Sequence, residues 1–265
     1  MNGRRLLAVA VVLLALLACG QLQAQASGLR VVHAFVALAD NEHQGIIPVS
    51  AKLGNGEDPE RNLYWGSAYG VKTFFTRSPQ WRRILCGTKP KREILDRCIF
   101  KFREADVYLV ADAYRGMEIR QAILDFLDSA AGDGTDSVSL PGGDVTLKLP
   151  IRGAANLVVY IGHDGLMDFQ VARFPVQKNE AHREAIVLAC ASKQFFANPV
   201  RASGAFPLLW TTGLMAPEAY TLKSALDGWI AGEGNEQIRD RAAGAYDRYQ
   251  KCGIRAAHRL LVSGW

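Results

Sequence analysis

Short uninterrupted apolar runs, more than long amphipathic stretches, set the pattern of this chain. Leu157-Val158-Val159-Tyr160-Ile161 and Ala185-Ile186-Val187-Leu188-Ala189 are each bounded by polar or glycine residues. Strands buried on both faces of a parallel sheet read this way. Residues 29–39 and 105–111 predict two earlier core strands, and 207–212 a later one. Helical spacing fills the intervals. Over 116–131, Ile119, Ile123, Phe126 and Leu127 fall on one stripe, and 192–200, 217–230 and 235–252 also predict helices. Asp58-Pro59-Glu60 reads as a helix start, which predicts a helix over 59–76 burying Leu63, Tyr64, Ala68, Val71 and Phe75. Ser78-Pro79 repeats that signal for a short helix through Leu85. Alternation over 138–149 around Pro141-Gly142-Gly143-Asp144 predicts a hairpin, and 44–62, full of Gly, Pro and Asn, a long loop. Strands alternating with helices indicate an α/β domain, its mostly parallel sheet sandwiched between helices in a flavodoxin-like order.

The first 26 residues are expected to be removed. Arg4 and Arg5 precede an apolar run from Leu6 to Leu17, and Ala24-Gln25-Ala26 is a small-residue cleavage site, so 1–26 reads as an export signal. Leu16-Leu17-Ala18-Cys19 competes as a lipobox, in which Cys19 is lipidated and becomes the mature N-terminus. Both routes predict a periplasmic or secreted protein, touching a membrane only through a lipid at Cys19. Residues 27–265 suit a single α/β domain. Removing Arg4 and Arg5 from the 31 basic residues leaves 29 against 26 acidic, a scattered excess that argues against a nucleic-acid partner.

Two of the apolar runs stop at residues that can do chemistry. His163 follows Gly162 after the first, and Cys190 directly follows the second. Ligand crevices in open α/β sheets lie beyond the carboxyl ends of the strands, so both residues are expected at one crevice. A neighbouring imidazole can deprotonate a thiol and later protonate a leaving amine. The glycine-flanked loop Gly162-His163-Asp164-Gly165 and the Cys190 amide are candidate donors to a developing oxyanion. Cys86 and Cys98 are placed for a local disulfide in an oxidising compartment, and a bond between Cys190 and Cys252 would remove the catalytic reading.

Ile161-Gly162-His163-Asp164-Gly165 followed by Val187-Leu188-Ala189-Cys190-Ala191-Ser192 resembles the caspase, legumain and gingipain clan of cysteine peptidases. Its histidine and cysteine follow successive apolar strands of a caspase–hemoglobinase fold. The resemblance covers most of the chain as an order of elements and about a dozen residues as motif; Asp164 stands where the clan usually has glycine. It implies an amide hydrolase with Cys190 as nucleophile, His163 as general base and acid, a peptide or protein substrate, and no cofactor. It also implies that Asp40, Asn41 and Glu42, after the first strand, shape a pocket for a basic substrate side chain.

Other readings stand beside it. Asp40 and Asn41 serve equally as turn residues that bond their own backbone. Asp40, Glu42 and His43 could join His163 and Asp164 around Zn or Mn in a metal-assisted hydrolase, although no His-Glu-x-x-His pattern occurs. A non-catalytic periplasmic binding module on the same scaffold would use the long loop with Tyr64 and Trp65. A serine hydrolase lacks its Gly-x-Ser-x-Gly elbow, and a dinucleotide site its glycine fingerprint.

Overall fold

The computed structural model describes residues 28–140 and 146–265. The export signal, Cys19 and the hairpin turn at 141–144 lie outside the described residues. In chain order the elements are β1 (Arg30–Ala37), α1 (Val71–Arg77), β2 (Trp81–Thr88), β3 (Ile94–Phe102), β4 (Val107–Tyr114), α2 (Ile119–Ala130), β5 (Asp136–Leu140), β6 (Leu147–Ile151) and β7 (Leu157–Ile161). There follow β8 (Glu184–Leu188), α3 (Ser192–Ser203), β9 (Phe206–Thr211), α4 (Ala219–Ala231), α5 (Asn235–Gln250), α6 (Ile254–Leu260) and β10 (Leu261–Val262).

Eight strands form one sheet in the order β10-β9-β8-β7-β1-β4-β3-β2, while β5 and β6 make a separate two-stranded ribbon. Strands β9, β8, β7, β1 and β4 are mutually parallel; β10 at one margin and β3 towards the other run against them, and β2 closes that second edge antiparallel to β3. Counted along the chain, the parallel strands stand in the order 2-1-3-4-5, so the connection reverses direction between β1 and β7. That reversal point is where open α/β sheets leave a crevice.

Side chains alternating along β1 divide the core. Val32, Ala34 and Val36 face the layer of α1, α4, α5 and α6, while Phe35 and Ala37 face α2 and α3. All five residues of β7 are buried, as a strand covered on both faces requires. Each such Val, Leu or Ile contributes roughly 1.5–3 kcal/mol by leaving water.

One expected helix is truncated and another is absent. Residues 59–70 form turns, and the helix begins only at Val71. Asn62 explains the interruption: its Oδ1 accepts from the Ala39 and Tyr64 amides, and its Nδ2 donates to the Ala39 and Asn55 carbonyls. This one side chain satisfies backbone groups that a helix would have paired differently. Residues 81–88, expected as helical through Leu85, are instead strand β2. Buried Trp81 packs on Phe75 and Phe102, and a Cys86–Cys98 disulfide ties β2 to β3. Strand β3, helix α6 and the edge strand β10 had no expectation attached to them.

Candidate active site

The chain leaves β7 through Gly162, whose φ of 151° is one that residues with a side chain rarely adopt; a Cβ there would lie 2.9 Å from the Ala37 carbonyl oxygen. That turn sets His163 beyond the strand end. The Tyr160 hydroxyl donates to the His163 carbonyl at 2.7 Å, and the Gly165 amide donates to the same oxygen at 3.1 Å. On the ring, Nε2 pairs with Asp168 Oδ2 at 2.6 Å. The same Asp168 oxygen accepts from the Gly45 amide at 3.1 Å, which ties the loop after β1 to the loop after β7. Asp168 therefore orients the imidazole and leaves Nδ1 free to accept a proton.

Asp164 is fully buried. Its Oδ1 accepts from the Leu166 amide and caps the helical turn over Gly165–Met167, whereas Oδ2 has no hydrogen-bond partner. Burial, with a smaller push from the Asp168 charge, raises its carboxyl to about 7. An orphaned oxygen beside a histidine is the costly feature of this loop.

Cys190 stands one residue past Ala189 at the end of β8. The next residue, Ala191, has φ 48° and ψ 31°, a left-handed conformation that costs a non-glycine residue of order 1–3 kcal/mol. Its surroundings hold it there: the Ala191 amide donates to Gly213 O at 2.8 Å, and Ser192 Oγ donates to Val187 O at 2.9 Å. The Thr211 amide in turn donates to Ser192 Oγ at 3.0 Å. The Met215 amide donates to Cys190 Sγ at 3.4 Å, and the thiol lies 3.6 Å from the Met215 carbonyl that accepts from it. Burial pushes the Cys190 thiol up; the Met215 hydrogen bond works the other way and the Asp164 charge adds to the rise. In the resting state the sulfur is thus a thiol.

His163 and Cys190 line one cavity of about 310 Å³. No hydrogen bond joins them directly among the described residues; they share a chamber whose other walls are Tyr64, Leu63, Met215 and Glu218, with Ile47, Met167 and Leu214 exposed at its rim. Glu218 Oε2 accepts from the Tyr220 hydroxyl at 2.9 Å, and burial raises its carboxyl. The amides of His163, Asp164 and Cys190 have no protein acceptor among the described residues. The amides of Gly162 and Gly165, the other expected oxyanion-loop residues, are engaged, donating to Leu188 O at 3.2 Å and His163 O at 3.1 Å, and of the three free amides only those of His163 and Cys190 belong to residues that line the cavity.

Asp40, Asn41 and Glu42 are placed elsewhere. They line a separate cavity of about 270 Å³ with His43 and residues 54–57. Asp40 accepts from the Glu42 and His43 amides and from His43 Nδ1, while Asn41 bonds both polar groups of Val49, so both are engaged in turn chemistry. No group of three or more His, Cys, Asp or Glu residues among the described residues could hold a metal ion. Cys190 and Cys252 are both free, the second exposed, so the disulfide that would block the thiol is not formed.

Sequence reasoning missed Asp168 and Glu218 as parts of this site and named Tyr64 only for the binding-module reading. The five-residue step from His163 to Asp168 is the signal that could have found the first; Tyr64 and Glu218 arrive from loops whose path only the tertiary structure reveals. No family model matches the chain, and comparisons with curated proteins and with solved structures find no match.

Proposed function

We propose that this protein is an exported cysteine peptidase of the caspase-like type, hydrolysing amide bonds through Cys190 and His163. One observation carries the reading: the two residues extend from the carboxyl ends of neighbouring parallel strands β7 and β8 into one cavity, with a carboxylate orienting the histidine. A histidine and a cysteine after successive apolar strands is also the arrangement that the caspase–hemoglobinase resemblance implies.

With Nε2–H donated to Asp168, Nδ1 of His163 takes the Cys190 proton as sulfur attacks the carbonyl carbon. The carbonyl π pair moves onto oxygen, which the free amides of this loop and of Cys190 can receive. The imidazolium then protonates the leaving amine as the C–N bond breaks, and water hydrolyses the thioester by the same base. Because burial pushes the Cys190 thiol up, sulfur becomes a nucleophile only as His163 takes its proton.

The second reading is a non-catalytic binding module, favoured by the hydrogen bonds that hold Cys190 to Met215 instead of His163. A peptide-library digest separates the two. Cleavage by the mature protein that disappears in Cys190→Ala and falls about 100-fold or more in His163→Ala supports the peptidase. Absence of cleavage with the wild-type protein, or cleavage that survives Cys190→Ala, overturns it.

A further inference from the structure

Away from the strand ends, a cavity of about 530 Å³ opens among the end of α1, α4 and α5. Its size is that of a small-molecule site. Four aromatic rings wall it. Tyr220 and Tyr249 are stacked with centroids 4.3 Å apart and planes 7° from parallel; Tyr69 meets Tyr249 edge-on at 5.2 Å and Phe74 meets it at 6.1 Å. Tyr69 and Tyr249 nonetheless remain 43% and 38% exposed, so aromatic surface is left for whatever enters.

Charge decides what that is. Arg77, the last residue of α1, and Arg248, in the last turn of α5, both line the cavity. Neither guanidinium has a hydrogen-bond or ion-pair partner among the described residues, while the one other cation in the lining, Lys223, is neutralised by Asp227 at 2.7 Å. Two guanidiniums without partners among the described residues, in one lining with four aromatic rings, suit a planar ring that carries a carboxylate: the ring stacks on tyrosine, and the carboxylate accepts the parallel N–H bonds of arginine. We propose that this cavity is a binding site for small aromatic carboxylates. It is independent of the chemistry assigned to Cys190.

Calorimetric titration of the Cys190→Ala protein tests the site without any turnover. Benzoate is the probe, benzamide its uncharged counterpart and cyclohexanecarboxylate its non-aromatic one. Saturable binding of the acid at one site is expected, with both counterparts at least about tenfold weaker. Arg248→Gln should weaken the acid towards the level of the amide, Arg77→Gln with Arg248→Gln should bring it there, and Tyr249→Ala should bring it down to that of the cyclohexane acid. All three positions are exposed, and unchanged thermal melts will establish that these variants fold. No saturable binding, equal affinity for acid and amide, or indifference to Arg248→Gln would overturn the proposal.

Discussion

Among the histidine–aspartate pairs of the described residues, two are opposites. His33 on β1 pairs with Asp112 on β4 at 3.1 Å, both fully buried. Every polar atom there is spoken for: Arg97 grips both Asp112 oxygens, and the Arg152 amide donates to His33 Nδ1 at 3.1 Å, which leaves Nε2–H to donate to Asp112. The hydrogen bonds from Arg97 and His33 outweigh burial and hold the Asp112 carboxyl down at about 2. His163 and Asp168 form the shorter pair, at 2.6 Å, but against a cavity, with a free Nδ1, a thiol sharing the chamber and an orphaned Asp164 oxygen alongside. A satisfied pair braces a sheet, whereas a pair set against a cavity leaves a ring nitrogen without a partner.

Breaking the satisfied pair should have the largest effect on stability. Asp112→Ala leaves the Arg97 charge and His33 buried without their acceptor, and should cost about 3–5 kcal/mol, read by urea denaturation. Asp168→Asn should cost less than about 1 kcal/mol, since that side chain is 39% exposed, yet lower Cys190-dependent cleavage at least about tenfold by weakening the acceptor that orients the imidazole. Equal stability losses in the two variants would erase the distinction.

The two clusters should also differ in sign against pH. Burial lowers the His33 pKa and hydrogen bonding lowers that of Asp112, so in both cases the unfolded chain binds protons more readily than the native one. Stability from this network is present above the unfolded values and is lost as pH falls below about 6.5 for the histidine and from about 4 towards 2 for the aspartate. Asp164 runs the other way: its raised carboxyl favours the native state in acid, and that contribution is lost as pH rises from about 4 through about 7. Asp164→Asn should therefore stabilise the protein at pH 8 by up to about 4 kcal/mol and leave it nearly unchanged at pH 4. A thermal melt of the two proteins at both pH values checks this. The smallest expected effect is on the thiol. Removing the Asp164 charge lowers the Cys190 pKa, so alkylation by iodoacetamide at pH 8 should quicken several-fold, with little difference at pH 5.5 where Asp164 is already neutral.

The parallel core was legible because its strands need no local help. Residues 157–161 and 185–189 are apolar on both faces, and His163 and Cys190 follow directly from where those runs stop. The antiparallel margin was not legible. In β3, Asp96 and Arg97 break the apolar pattern, and their partners, Trp65 and Lys72 for the first and Asp112 for the second, come from distant parts of the chain. The helix signals at Pro59 and Pro79 misled for a related reason. They mark turns, and Asn62 and Trp81 commit those segments to tertiary contacts that outweigh local propensity. Within the site, the strand-end residues could be read, whereas Asp168, Tyr64 and Glu218 depend on how loops return to the crevice.

The central claim is that Cys190 reacts through His163 while its resting form is an ordinary half-buried thiol. Mass-spectrometric labelling of the wild-type and His163→Ala proteins tests it most directly, with a peptidyl acyloxymethyl ketone set against iodoacetamide and exposed Cys252 as the internal reference. The account predicts a single peptidyl adduct at Cys190, formed about 100-fold more slowly or worse without His163, and iodoacetamide labelling of Cys190 no faster than of Cys252. Peptidyl labelling at equal rates in the two proteins, or confined to Cys252, would contradict it.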